Sequence, residues 1–344
     1  MPFKPPQWAP ALPEILDNVS IPDITLDEFY GRQALKRSRP PFICALSGQT
    51  SSAAEVKETI DHLVKNIAAE LGWQPNVGGS LSKVVCVFGF NTVDYLPLIW
   101  AVHCIGGVVT LTNARFSAAD LASQLKDSGA RSIFTCLPLL NKAVEAAAVV
   151  GILNECIFAL DVLGQSSLPK KALDKSHVLK STTVLAQRGA NLPTLELLEW
   201  SKGEAKRQVV FLCYSSGTSG LPKWVIISRH NVITSVMQVY VFEHPAGEKH
   251  RKRPVMITHC AAWRGDSVVV QPKFDLKQCL KAIQNHQINT LFLVPPIIIM
   301  MLKNPNTLRQ FDLSSVKAVF TGAAPLAQET VVQLTTLYPT WPMR

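Results

Sequence analysis

Apolar positions recur along this chain with two different periods, and the switches between them mark its elements. Residues 1–50 are rich in proline and read as an extended, turn-rich entry. Val56, Ile60, Leu63, Val64, Ile67 and Leu71 then return every three or four residues, the spacing of one helical face. Ser52 and Glu55 form a capping box at the head of that helix, and Gly72 stops it. Residues 83–88 read as a buried strand. Asn91 or Thr92 caps the next helix, which runs to Ile105, carries the strain of Pro97 and ends at Gly106 and Gly107. A strand over 108–111 precedes a second capping box, Ser117 with Asp120, and a helix to Ser128. A strand over 132–135, an alanine-rich helix over 139–150 and a strand over 156–160 continue the alternation. Strands and helices taking turns at this spacing predict an α/β fold with a parallel, doubly wound sheet, whose ligands lie at the carboxyl ends of strands where the order reverses.

Over residues 161–205 the rhythm lapses into polar, proline-marked sequence, which reads as the crossing into a second sheet. The pattern then resumes with strands over 209–214 and 224–227, a helix from about 231 to 242, a strand over 267–270 and a helix over 276–285. A strand over 288–293, a helix opened by Pro295 and Pro296, a strand over 316–320 and a helix over 327–337 complete it. The expected organisation is a first α/β subdomain over 1–165, a crossing segment over 166–205, and a second α/β subdomain over 206–344. No fixed-period repeat or low-complexity tract interrupts this order.

Between the strands at 209–214 and 224–227 stand Ser215, Ser216, Gly217, Thr218, Ser219, Gly220, Leu221, Pro222 and Lys223. Hydroxyls, glycine backbone and one lysine held between two strands offer O–H donors, N–H donors and a positive charge to a single anion, as a polyphosphate requires. Two other readings fail on spacing. A Walker loop is G-x-x-x-x-G-K-[ST] leading into a helix, whereas Lys223 follows Leu221 and Pro222 and leads into a strand. A nucleophile elbow needs G-x-S-x-G, and Leu221 stands where its last glycine belongs. Clusters of this composition also serve as plain connectors.

The string SSGTSGLPK resembles the phosphate-binding signature of the adenylate-forming superfamily, most closely acyl- and aryl-CoA ligases similar to 4-coumarate-CoA ligase, and its wording is like that of fungal members serving secondary metabolism. Further likeness lies at Trp8, at ELGWQP from Glu70, PKFDL from Pro272, LVPP from Leu293 and FTGAAPL from Phe320. The resemblance implies a large N-terminal adenylation (AMP-binding) domain of stacked, doubly wound sheets. It also implies a reaction in which a carboxylate attacks the α-phosphate of Mg-ATP to give an acyl-adenylate that CoA thiol resolves, so ATP, Mg, CoA and a carboxylic acid are the expected small molecules. It places Ser215, Ser216, Gly217, Thr218, Ser219 and Lys223 at the ATP phosphates, and Gly322, Ala323, Ala324 and Pro325 against the adenine and acyl group. By itself GAAP reads as an ordinary strand-to-helix turn.

Departures from the family pattern limit this transfer. Trp224 stands where the family has glycine, and its ring is expected to crowd the return strand. Ser228, Arg229, His230 and Asn231 replace Ser-His-x-Asn, and the segment flooring the acyl pocket is replaced by unrelated sequence between Phe242 and Trp263. Arg344 precedes the family's Tyr-Gly-x-Thr-Glu motif, so the resemblance implies a C-terminally shortened domain without the small mobile domain. The family's catalytic lysine then has no counterpart here, and no metal ligand is assigned. A nucleotide-binding relative without catalysis and a general nucleotide-binding hydrolase stay open as alternatives.

The formal charge of +9 suits ATP and CoA as well as it would suit nucleic acid, and the basic residues are scattered apart from KHRKR at Lys249 to Arg253, which reads as a solvated loop. Nucleic acid is therefore not an expected partner. The eight cysteines form no C-x-x-C pair and several sit in apolar runs, as reduced core residues do. His230 and His259 read as structural histidines and Asp266 as a turn residue. The longest apolar stretch, 291–302, is too short for a membrane span and broken by two prolines. No secretory signal opens the chain, and Pro342, Met343 and Arg344 do not form the peroxisomal tripeptide. A cytoplasmic protein is expected.

Overall fold

All five residues of the strand Val84–Phe88 are buried, so both faces of the sheet it joins must be covered. The computed structural model describes residues 11–30, 34–162, 179–215, 223–243, 258–322 and 324–343. Its strands are β1 (Phe42–Cys44), β2 (Thr50–Ser51), β3 (Val84–Phe88), β4 (Val108–Leu111), β5 (Ser132–Thr135), β6 (Ile157–Ala159), β7 (Val209–Ser215), β8 (Lys223–Ser228), β9 (Val268–Val270), β10 (Thr290–Leu293) and β11 (Ala318–Thr321). The helices in the first half are α1 (Ile21–Leu26), α2 (Ala53–Leu71), α3 (Tyr95–Cys104), α4 (Ala118–Ser128), α5 (Leu140–Val150), α6 (Thr182–Gly189) and α7 (Glu204–Arg207). In the second half they are α8 (Arg229–Glu243), α9 (Thr258–Arg264), α10 (Leu276–His286), α11 (Pro295–Lys303), α12 (Pro305–Leu308) and α13 (Gln328–Leu337).

Six strands form the main sheet in the order β6-β5-β3-β4-β7-β8, parallel except for the last pair. Side chains alternate between its faces. Val85 and Val87 join the apolar cluster that includes α2 and α3, while Val84, Cys86 and Phe88 join the cluster built on α4 and α5. The doubly wound arrangement is therefore present. Both capping boxes form as expected: Ser52 with Glu55 opens α2 and Ser117 with Asp120 opens α4, and each helix ends on a left-handed glycine, Gly72 or Gly129.

Four expectations change. The helix expected from Asn91 or Thr92 begins at Tyr95, with Asp94 at its cap position. Pro97 consequently lies in the first turn, where its missing N–H has no partner to lose, and it strains nothing. The crossing into a second sheet does not occur over 161–205, because β7 and β8 extend the first sheet beside β4. The main sheet therefore runs past residue 206, and the later strands form separate sheets: β9 pairs with β1, and β10 with β11, both in parallel. Within the segment after residue 178 one longer helix stands, α6, while residues 190–203 carry no regular element. Ser181 bridges Ala159 and caps α6, whose Gly189 packs so tightly on α2 that a β-carbon would lie 1.9 Å from the His62 carbonyl oxygen. Finally, α1 stands in the entry read as extended, capped by Ser20 and with Pro22 in its first turn.

Lys83, at the head of β3, is buried with its ammonium. Its Nζ donates to the carbonyls of Gln74, Pro75 (3.0 Å) and Ile105 (3.1 Å), and burial pushes its pKa below the ordinary lysine value. The ELGWQP motif is thereby tied to the sheet and to the C-terminal end of α3. A third apolar cluster, including Leu291, Leu293, Ile298, Val319, Leu334 and Trp341, holds α10, α11 and α13 to the β10–β11 sheet.

The contact at Gly189 sets a first test. Gly189→Ala must push α6 off the His62 backbone, which neither side can absorb by a rotamer change, and is expected to cost roughly 2 kcal/mol, read as a lower midpoint in urea unfolding.

Candidate functional site

Ser215 and Lys223 close the last cross-strand pair of the β7–β8 hairpin, following Cys213 with Val225 and Tyr214 with Trp224. Residues paired in this way point to the same face, so the serine hydroxyl and the lysine stem stand together at the loop end of the hairpin, both exposed. Among the described residues Lys223 has no ion-pair partner, which leaves its charge available to an anion. Ser216, Gly217, Thr218 and Ser219, expected between them, lie outside the described residues, as do Ala323 and the basic run at 249–253.

The hairpin is held firmly on its inner side. Thr110 Oγ1 donates to the Leu212 carbonyl at 3.2 Å and itself accepts from Gln124 Nε2 at 2.8 Å. His103 Nε2 donates to the Val210 carbonyl at 3.0 Å. Tyr214 Oη donates to Asp127 of α4 at 2.6 Å, and burial with that carboxylate raises the phenol pKa. Trp224 shares the Tyr214 face, opposite to the face of Lys223, and is 39% exposed. Its backbone pairs in register with Tyr214, so β8 runs on through Trp224 without a break.

Gly322, Ala324 and Pro325 follow β11, so the two groups of expected site residues stand on different sheets. Gly322 is half-buried and the other two are exposed. Just before them, the buried Thr321 hydroxyl has no hydrogen-bond partner among the described residues. His230 and Thr234, one turn apart on α8, likewise have a buried Nδ1 and Oγ1 without partners among the described residues. His259 falls within α9. Asp266 follows Gly265 (φ 72°) in the turn after α9 and pairs with Arg264 at 3.0 Å, as a turn residue would. No three His, Cys, Asp or Glu side chains among the described residues are placed to hold a metal ion.

Arg229 has a role that sequence reasoning missed, having noted only that it departs from the family wording. It is 1% exposed at the foot of the hairpin. Its Nη2 donates to the Leu16 carbonyl at 2.9 Å, its Nη1 to that of Val19 and its Nε to that of Ala205 at 3.3 Å, while the guanidinium lies 5.3 Å from the Trp200 ring centre. The side chain fastens the entry segment and α7 to the base of β8. All its partners are distant in sequence, so no local signal announces it.

The described residues thus form a doubly wound α/β domain whose braced hairpin presents a hydroxyl and a lysine side by side. The model of the AMP-binding enzyme family matches residues 32–342, and the chain belongs to that family. It is 33% identical over 364 residues to the acyl-CoA ligase cm3C of Cordyceps militaris, with 98% of this chain and 56% of that protein covered. It is 34% identical to the acyl-CoA ligase easD of Emericella nidulans, covering 99% of this chain and 62% of that one. The chain thus spans about three fifths of the length of these relatives. In fold it is similar to a long-chain-fatty-acid-CoA ligase from Archaeoglobus fulgidus (TM-score 0.71, 19% identity, 97% of this chain and 64% of that one). It is also similar to the luciferase-like enzyme of the mealworm Zophobas morio (TM-score 0.70, 17% identity, 95% and 71%).

Replacing Arg229 by histidine, the family's wording, leaves two or three carbonyls without donors. A loss of roughly 2 kcal/mol or more in unfolding free energy is expected, together with faster amide exchange over residues 16–19.

Proposed function

We propose that this chain is the ATP-binding part of an ATP-dependent acyl- or aryl-CoA ligase, with a carboxylic acid, ATP and CoA as its small molecules and secondary metabolism as its setting. The observation that carries this reading is the Ser215–Lys223 pair, exposed at the mouth of the hairpin and without a competing carboxylate on the lysine among the described residues. In this role Lys223 holds phosphate charge and Ser215 donates a hydrogen bond, with Ser216, Gly217, Thr218 and Ser219 lining the same anion. Gly322, Ala323, Ala324 and Pro325 lie against the adenine and acyl group, where small residues permit close approach of backbone to a flat ring. Magnesium arrives with the triphosphate and is held by phosphate and water oxygens, a mode common for this ion. The names of the curated relatives support the ligase class. A cytoplasmic setting agrees with the seven described free cysteines. Among the described residues no helix is long and apolar enough to cross a membrane.

Calorimetry with Mg-ATP tests the loop. Lys223→Ala removes a charge-assisted contact and is expected to weaken binding about ten- to a hundredfold, equivalent to roughly 1.5–3 kcal/mol. Equal affinities in the two proteins would refute the assignment. Trp224→Gly acts on the other face of β8 and is expected to leave ATP affinity within about twofold, while costing roughly 1 kcal/mol of stability as glycine in a strand. Turnover is measured separately with ATP, Mg, CoA and a panel of cinnamic, benzoic and medium-chain acids. Acid-dependent pyrophosphate release supports the ligase reading, and tight nucleotide binding with neither pyrophosphate nor thioester supports the non-catalytic alternative.

A further inference from the structure

Three segments distant in sequence meet where β6 ends, α3 begins and α6 begins. Thr182, the first residue of α6, donates its hydroxyl to Asp94 Oδ2 at 3.0 Å and lies 3.4 Å from Asp161 Oδ2. A hydroxyl has one proton, so the two carboxylates compete for it. Asp161 has a donor of its own, the Thr183 amide at 3.0 Å. Thr92 ties the same corner by donating to the Asp161 carbonyl at 2.6 Å. Asp94 sits in the wall of a small cleft of about 30 Å³, whose remaining lining comes from β1, β2 and the connection between them, α2, and the start of α3.

We propose that Asp94, Thr182 and Asp161 form an acid-tightened latch that fastens α6 to the head of α3. With Asp94 ionised, one proton serves two negative charges, and neither carboxylate has an ion-pair partner among the described residues. When Asp94 takes a proton from solvent it becomes a donor to Thr182 Oγ1, and the Thr182 proton turns to Asp161 Oδ2. A directed chain Asp94 O–H to Thr182 O–H to Asp161 carboxylate then replaces the competition, with one proton gained and no bond between heavy atoms altered. The groups facing Asp94 are few. Among the described residues Asp161 is the only charged one; Thr182 on α6, Thr59 on α2, Gln49 before β2, and Thr50 and Ser51 on β2 are uncharged. Burial, partly offset by the Thr182 hydrogen bond and reinforced by Asp161, raises the Asp94 pKa to about 6. A carboxyl raised in the folded state contributes stability that is present at low pH and is lost as pH rises through about 6.

The test compares unfolding of the 344-residue chain at pH 7.5 and pH 5. From the Asp94 shift, the wild type is expected to gain about tenfold in its folding constant on acidification beyond what Asp94→Asn gains. Asp94→Asn should exceed the wild type in stability at pH 7.5, because it removes the competing charge. Asp161→Asn, which keeps Asp94 but removes its like-charged neighbour, should show a smaller acid gain than the wild type. Amide exchange over residues 184–189, corrected for intrinsic rates, should slow at pH 5 in the wild type and not in Asp94→Asn. Identical pH responses in wild type and Asp94→Asn would overturn the latch, as would an unchanged acid gain in Asp161→Asn if Asp94→Asn fails to fold.

Discussion

The arrangement of this protein depends on one constraint: β3 is buried on both faces. A strand in that position carries apolar side chains above and below, and neither set can be left in water. Helices must therefore cover both sides, and parallel neighbours with long crossovers supply them. The same constraint explains Lys83. A central strand that begins inside the molecule buries its first residue too, and the ammonium there is accommodated by three backbone carbonyls. With β3 and β4 fixed, the position of β7 follows, and with it the hairpin that bears the candidate site.

Much of this was legible in the sequence where the signal is local. Ser52 with Glu55 and Ser117 with Asp120 each fit into four residues, and the helices they open begin where those residues place them. The apolar run before Ser215 and the one after Lys223 became strands with the loop between them, because hairpin pairing needs only near neighbours. Partner choice between distant strands is not written locally, so nothing in residues 161–205 told that β7 would return to β4. Pro97 was misjudged for a related reason. Its effect depends on where the helix starts, and the helix starts at Tyr95, which puts Pro97 in the first turn. The candidate site shows the same division. Ser215 and Lys223 could be named from the motif, whereas the bracing by Tyr214 with Asp127 and by Arg229 spans 24 to 213 positions and left no trace in spacing.

The family assignment and the fold carry different weights. Likeness to solved structures at 17–19% identity fixes the architecture alone. The match over residues 32–342 fixes the family. The proposed anion site rests on a few exposed atoms of the β7–β8 hairpin, and these are supported from one side. Among the described residues β7 is hydrogen-bonded to a strand on each flank, whereas β8 ends the sheet.

That asymmetry governs how each strand tolerates substitution over evolutionary time. A replacement in β7 must satisfy two neighbours and a buried surface, so selection on folding alone holds its residues in place. In β8, Trp224, Val225 and Ile226 are 39%, 53% and 49% exposed, and each answers to a single partner strand. Such positions accept replacement at little structural cost, and Trp224 is one of them. The return strand is thus a place where lineages can diverge in surface character while its pairing with β7 keeps the Ser215–Lys223 register.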